Sequence, residues 1–144
     1  MLIQKYVQGR DNKQIFGNVS TWLTSQSVHE ELGMAITSKD DDFWYLAFLK
    51  ESLIGFAVTR KIKSTNAYHV RFVYADPKTK NSIIQKILKD GQNEEINNIW
   101  TNDRETEQVW KELNFSFKKR ARGSFGRWEK SLKNNKKEAE DVRL

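Results

Sequence analysis

Few residues in this chain can do acid–base chemistry. There is no cysteine, and histidine occurs twice, at His29 and His69. The missing cysteines exclude disulfides, Cys-ligated zinc and thiol catalysis. Two histidines do not make a His-based metal site, so no metal is expected. His69 is the better lead. It falls in the run Ala67–Ala75, which alternates as a strand does, so that residues 69, 71, 73 and 75 share one face. Arg71 then sits beside it, where its charge would depress the imidazole pKa or hold an anionic acceptor. A histidine that titrates near neutrality suits deprotonation of an amine. The competing reading is a packed or surface histidine with no chemical role. His29 has no evident partner in the sequence.

A second constellation lies near the C-terminus. The run Lys118-Lys119-Arg120-Ala121-Arg122-Gly123-Ser124-Phe125-Gly126-Arg127-Trp128 mixes cations with aromatics. Lys118, Lys119, Arg120, Arg122 and Arg127 can neutralise phosphates, while Phe125 or Trp128 stacks on an exposed base. The net charge of +6 resides here. Residues 1–117 hold 15 basic and 15 acidic side chains, and residues 118–144 hold ten and four. Nucleic acid or a phosphorylated cofactor would meet such a footprint. A solvated tail, or an edge hairpin protected from aggregation by its charge, would explain it equally. The triplet Asp40–Asp42 lacks the ligand spacing of a calcium loop and reads as a turn.

These groups must be positioned by elements that the pattern defines. Leu2–Val7 reads as a strand. Asp11 is placed to cap a helix through Ser25, with Ile15, Phe16, Val19, Trp22 and Leu23 at helical spacing. Residues 28–36 form a second helix. Phe43–Leu49 and residues 53–62 are apolar runs separated by Lys50-Glu51-Ser52, which implies a hairpin. Ala67–Ala75 is the fourth strand, ended by Asp76-Pro77. Residues 78–89 form an amphipathic helix, with Gly91 as its stop. Residues 96–100 are a strand, Asp103 caps a helix through Leu113 in which Trp110 is a core residue, and residues 115–119 and 124–132 make a last pair of strands. The class is α/β, one mixed sheet flanked by helices in the order β-α-α-β-β-β-α-β-α-β-β. The 144 residues suit one domain, residues 1–132, with residues 133–144 as a charged flexible tail. No stretch approaches the roughly 20 apolar residues of a membrane span, and the first residues lack the apolar core of a signal peptide, so a cytoplasmic location and no membrane partner are expected.

That order resembles the Gcn5-related N-acetyltransferase (GNAT) fold family along nearly the whole chain. Leu46-Ala47-Phe48-Leu49-Lys50-Glu51-Ser52-Leu53-Ile54-Gly55-Phe56-Ala57-Val58 looks like its central hairpin. Val73-Tyr74-Ala75-Asp76-Pro77 looks like the end of its fourth strand, and Val109-Trp110-Lys111-Glu112-Leu113-Asn114-Phe115 looks like its "l-Y-e-k-l-G-F" segment. The resemblance implies transfer of an acyl group from acetyl-CoA or another acyl donor to an amine, with His69 and Arg71 on the acceptor side. It implies that Val73 and Ala75 offer a strand edge to the donor, and that Lys80, Asn81, Ser82 and Ile83 meet its pyrophosphate at a helix start. The chain departs from the pattern in two places. Ile83 and Gln85 stand at the two glycine positions of the phosphate loop, where their bulk is expected to crowd the anion and weaken acetyl-CoA binding. Trp110 stands where a tyrosine would act as the acid. Two other functions fit the same residues: a nucleic-acid-modifying transferase akin to phage Mom-type DNA modification proteins, and a non-catalytic binding module with a degenerate donor site.

Overall fold

The computed structural model describes residues 1–32, 36–119 and 123–132. Its elements run β1 (Leu2–Val7), α1 (Asn12–Leu23), α2 (Gln26–Leu32), β2 (Phe43–Leu49), β3 (Ser52–Ile62), β4 (Ala67–Ala75), α3 (Pro77–Asn93), β5 (Asn98–Arg104), α4 (Gln108–Glu112), β6 (Ser116–Lys119) and β7 (Phe125–Ser131). The seven strands form one mixed sheet in the order β1-β2-β3-β4-β5-β7-β6. This is the expected α/β class and element order. By its internal contacts the chain divides into two compact units, Met1–Arg60 with Arg71–Ile83, and Lys61–Val70 with Ile84–Leu144. Strands β3 and β4 and helix α3 pass from one into the other.

In the first unit, β1 and β2 pair antiparallel from Leu2↔Phe48 to Val7↔Phe43, and β2 turns back onto β3. Ser52 pairs with Leu49, so the hairpin loop is Lys50-Glu51, one residue shorter than expected, with Lys50 at φ 57°. The core joins Ile15, Val19 and Val28 of the two helices to Trp44, Leu46, Phe56, Val58 and Phe72 of the sheet. Burying each such side chain contributes about 1.5–3 kcal/mol. Aromatic rings run through it: Phe16 meets Trp44, Trp44 stacks on Phe56, and Phe56 and Trp22 both meet Tyr74. The expected turn at residues 39–42 forms, and its last residue is an anchor. Asp42 is buried, accepts from the Lys39 N–H at 3.0 Å, and takes a two-pronged bond from Arg60 at 2.7 and 2.9 Å. Asp11 sits at the α1 start but does not cap it. Its carboxylate turns back to the Val7 N–H and the Arg10 guanidinium instead.

In the second unit, β4 and β5 run parallel, Ala67↔Asn98 to His69↔Trp100, as the strand–helix–strand reading of the sequence predicts. The Thr101 hydroxyl then donates to the Val70 carbonyl at 2.7 Å, so a side chain supplies that bond. β7 pairs antiparallel with both β5 and β6. Helix α3 does not stop at Gly91. A Cβ there would lie 3.0 Å from Ile99 and 3.1 Å from Leu132, so this glycine serves close packing. The helix ends beyond it, where Glu95 takes φ 55° and the Ile96 N–H returns to the Gly91 carbonyl. Strand β5 is longer than expected and absorbs Asp103, which therefore caps no helix; α4 is correspondingly short.

Candidate functional site

The first unit contains a cavity of about 540 Å³ at the C-terminal end of β4. Its walls are Trp22 of α1, Glu31 of α2, Leu53 and Ile54 of β3, and Tyr74, Ala75 and Asp76. That size suits a small organic ligand. Gly55 makes the floor possible, because a Cβ there would meet Ala75 Cβ at 2.6 Å and the Tyr74 carbonyl at 3.1 Å. Tyr74 stands edge-on to Trp22, with ring centroids 5.4 Å apart. Burial, then the Glu31 charge and the hydrogen bond to it, raises the Tyr74 pKa, so the phenol stays protonated and bonded to the Glu31 carboxylate.

Asp76 is the single residue between β4 and α3, and it caps the helix. Its Oδ1 accepts from the Thr79 N–H at 3.0 Å, its Oδ2 from the Thr79 hydroxyl at 2.8 Å, and its carbonyl from the Lys80 N–H at 2.8 Å. Pro77 occupies the first helical position, where its missing N–H costs nothing. The Thr79 bonds hold the Asp76 carboxyl below the usual carboxylate range, so it is charged.

The residues expected to meet a donor are distributed otherwise. Val73 is buried and Ala75 lines the cavity. Lys80, Asn81, Ser82 and Ile83 all lie inside α3, with no loop before them. Ser82 Oγ donates to the Lys78 carbonyl. Ile83 is fully buried, which corrects the steric premise: its bulk fills the core and not a phosphate site. Asp-Pro-Lys-Thr is itself a helix-start signature, and it was the signal available for this arrangement. Nothing in the sequence marks Glu31 as part of a site.

His69 stacks on Trp100, its partner across the β4–β5 ladder, at 3.7 Å between centroids and 6° between planes. Arg71 donates to the Thr37 hydroxyl at 3.0 Å and lies 5.4 Å from the Phe72 ring. Phe72 belongs to the core that faces α1 and α2. The expected alternation holds here: Tyr68, Val70 and Phe72 are buried, while His69 and Arg71 are partly exposed. Neither His69 nor Arg71 lines the cavity.

In the basic hairpin, Lys118 and Arg127 both bind Glu129, at 2.9 and 3.2 Å, and the Arg127 guanidinium lies 4.3 Å from the Trp100 ring centre. Lys119 is exposed; Arg120 and Arg122 lie outside the described residues, as do residues 133–144. Trp128 is buried and its indole N–H donates to the Arg104 carbonyl, so it offers no face to a base. Trp110 is buried too, as expected of a core residue, and donates to Asp103 at 2.9 Å. Among the described residues no three metal-ligating side chains gather, and no helix is long and apolar enough to cross a membrane.

No family model and no curated protein matches the sequence. Solved structures do. TofI in an apo form superposes with a TM-score of 0.68 at 11% identity, covering 90% of each chain. An aminoglycoside 6'-N-acetyltransferase from Enterococcus faecium gives 0.62 at 11%, covering 91% of this chain and 97% of that one. The N-acetyltransferase PseH of Campylobacter jejuni, solved with acetyl coenzyme A, gives 0.61 at 14%, covering 91% and 99%. The chain therefore has the fold of the GNAT acetyltransferases, in divergent form.

The donor of the PseH complex can be tested against the residues present. A pyrophosphate at the start of α3 would need open N–H groups there. The Thr79 N–H is spent on Asp76, Pro77 has none, and the charged Asp76 carboxylate occupies the position. The acetyl-CoA diphosphate does not fit this helix start as it stands.

Proposed function

We propose that this chain is a divergent acyltransferase of the GNAT fold that transfers an acyl group to an amine, received in the β3–β4 cavity. The cavity carries the reading. It pairs two acidic side chains with an indole and a phenol, and none of its seven lining residues is Lys or Arg. An ammonium group is favoured by carboxylates and by aromatic rings, both of which line the cavity. In the reaction the amine nitrogen bonds to the acyl carbon as the carbon–sulfur bond of the thioester breaks, the thiolate leaves and takes a proton from water, and the ammonium must first give up its own proton. Glu31 is the carboxylate placed to accept it, and the Tyr74 phenol, kept protonated, orients Glu31. Acyl transfer is tested by mass analysis of amines incubated with the protein and an acyl thioester. Acylated product that disappears in Glu31→Gln supports the reading, and no product with any amine rejects it.

The helix start favours a second reading, a binding module that keeps the cavity without transfer. Binding of amines without any product would select it. Action on nucleic acid, with the basic hairpin as the contact, has its own test in the salt dependence described below.

A further inference from the structure

The charge pattern around the start of α3 is opposite to what the resemblance implies. A helix start ordinarily offers unsatisfied N–H donors and a partial positive charge, which attract anions. Here those donors are turned inward. Asp76 takes the Thr79 N–H and hydroxyl through its two carboxylate oxygens and the Lys80 N–H through its carbonyl. Asp76 also lines the cavity, together with Glu31. An anion entering there would meet two carboxylates and no open backbone donor at Thr79. A cation would meet the same two carboxylates and the aromatic wall of Trp22 and Tyr74.

We propose that Asp76 converts the start of α3 from an anion-binding into an anion-excluding terminus, so that the cavity takes organic ammonium ligands and rejects phosphate-bearing ones. Asp76 is then the residue that sets ligand charge specificity. The consequence for the reaction is that any acyl donor is held without a diphosphate at this helix. The inference rests on the acyl-transfer reading only in identifying the ammonium ligand as the acceptor.

The test is titration calorimetry on the full chain with no acyl donor present, using 1,4-diaminobutane and inorganic pyrophosphate as probes. The wild-type protein should bind the diamine and give no heat with pyrophosphate. Asp76→Ala removes the carboxylate and frees the Thr79 N–H. It should weaken the diamine roughly three- to tenfold and admit pyrophosphate. Glu31→Gln, away from the helix start, should weaken the diamine and still exclude pyrophosphate. If Asp76→Ala does not fold, Asp76→Gly replaces it, since glycine is tolerated at a helix start and leaves the Thr79 N–H free. Pyrophosphate binding by the wild type, absence of diamine binding, or an Asp76 variant that changes neither ligand would each overturn the proposal. No turnover is measured, so failure here and failure of acyl transfer remain distinguishable.

Discussion

The two units handle charge in different ways. In the first, acidic groups are turned to fixed partners: Asp42 to the Arg60 guanidinium and Asp76 to the α3 backbone. In the second, two cations share one carboxylate, Glu129, and the Arg127 guanidinium also lies over Trp100, against which His69 stacks. The difference lies in solvent. Asp42 is 1% exposed, so its partner is obligatory, whereas Lys118 is 73% exposed and exchanges Glu129 for water at little cost. A net charge of +6 concentrated at one end thus says less about binding than the geometry of a few carboxylates does.

The largest effect should come from breaking the buried pair. Asp42→Ala leaves Arg60 without its carboxylate in a half-buried setting and should cost about 3 kcal/mol. Urea unfolding reads this as a lower midpoint at unchanged slope. A loss below about 1 kcal/mol would place Asp42 with the surface pairs and erase the contrast. Gly55→Ala comes next. The new methyl would sit 2.6 Å from Ala75 Cβ and 3.1 Å from a backbone oxygen, which cannot swing aside as a flexible side chain does. Overpacking of this kind should cost about 2 kcal/mol, and it should also weaken ligand binding in the cavity, whose floor includes Ala75. Unchanged binding in a destabilised Gly55→Ala would detach the floor from the site. In the second unit, Trp100→Ala removes the ring between His69 and Arg127 and should cost about 1–2 kcal/mol. The His69 ring protons should lose their upfield ring-current shift in the NMR spectrum. A His69 spectrum that does not change would mean that the stack does not persist in solution.

The strands and their order were legible because long apolar runs such as Phe43–Leu49 and Ala67–Ala75 leave no other reading, and because Asp76-Pro77 punctuates them. Of the three positions misread as helix punctuation, Asp11 turns to Val7 and Arg10 instead, while Gly91 and Asp103 fail for one reason. A small residue or a capping side chain can equally serve tertiary packing, and here Gly91 admits Ile99 while Asp103 receives Trp110. The site was less legible. Ile83 reads as obstructive when residue 78 opens the helix and the motif forms a loop. With Pro77 as first helical residue, Ile83 falls on the buried face two turns in. Glu31 and Tyr74 meet through chain folding alone, and no local spacing announces such a pair. Arg71 and Phe72 keep the two-residue period, with Phe72 buried and Arg71 partly exposed.

The smallest expected effect concerns Glu129, and it bears on whether the basic hairpin is a nucleic-acid contact. Glu129 accepts from Lys118 Nζ at 2.9 Å and from Arg127 Nε at 3.2 Å. Its carboxyl is held below the usual range by the Lys118 hydrogen bond first, with burial opposing and the charges of Lys118 and Arg127 assisting. Glu129→Gln removes the negative charge but keeps an oxygen for one of the two donors. Exposed pairs of this kind contribute between zero and about 1 kcal/mol, so stability should barely move. Binding to duplex DNA should respond more clearly if the hairpin is the contact. Two cations released from Glu129 can each neutralise a phosphate, and the slope of log affinity against log salt should steepen by up to about two units. Lys119→Gln should flatten the same slope by about one unit, since an exposed lysine contributes its counterion without competition. Removal of residues 133–144 separates the hairpin from the tail. If the truncated protein loses all affinity, the cations of the tail carry the binding. If neither the wild type nor Glu129→Gln binds DNA or RNA in a salt-sensitive way, Lys118 and Arg127 serve only to hold β6 against β7, and the charge at this end of the chain is a solvated edge.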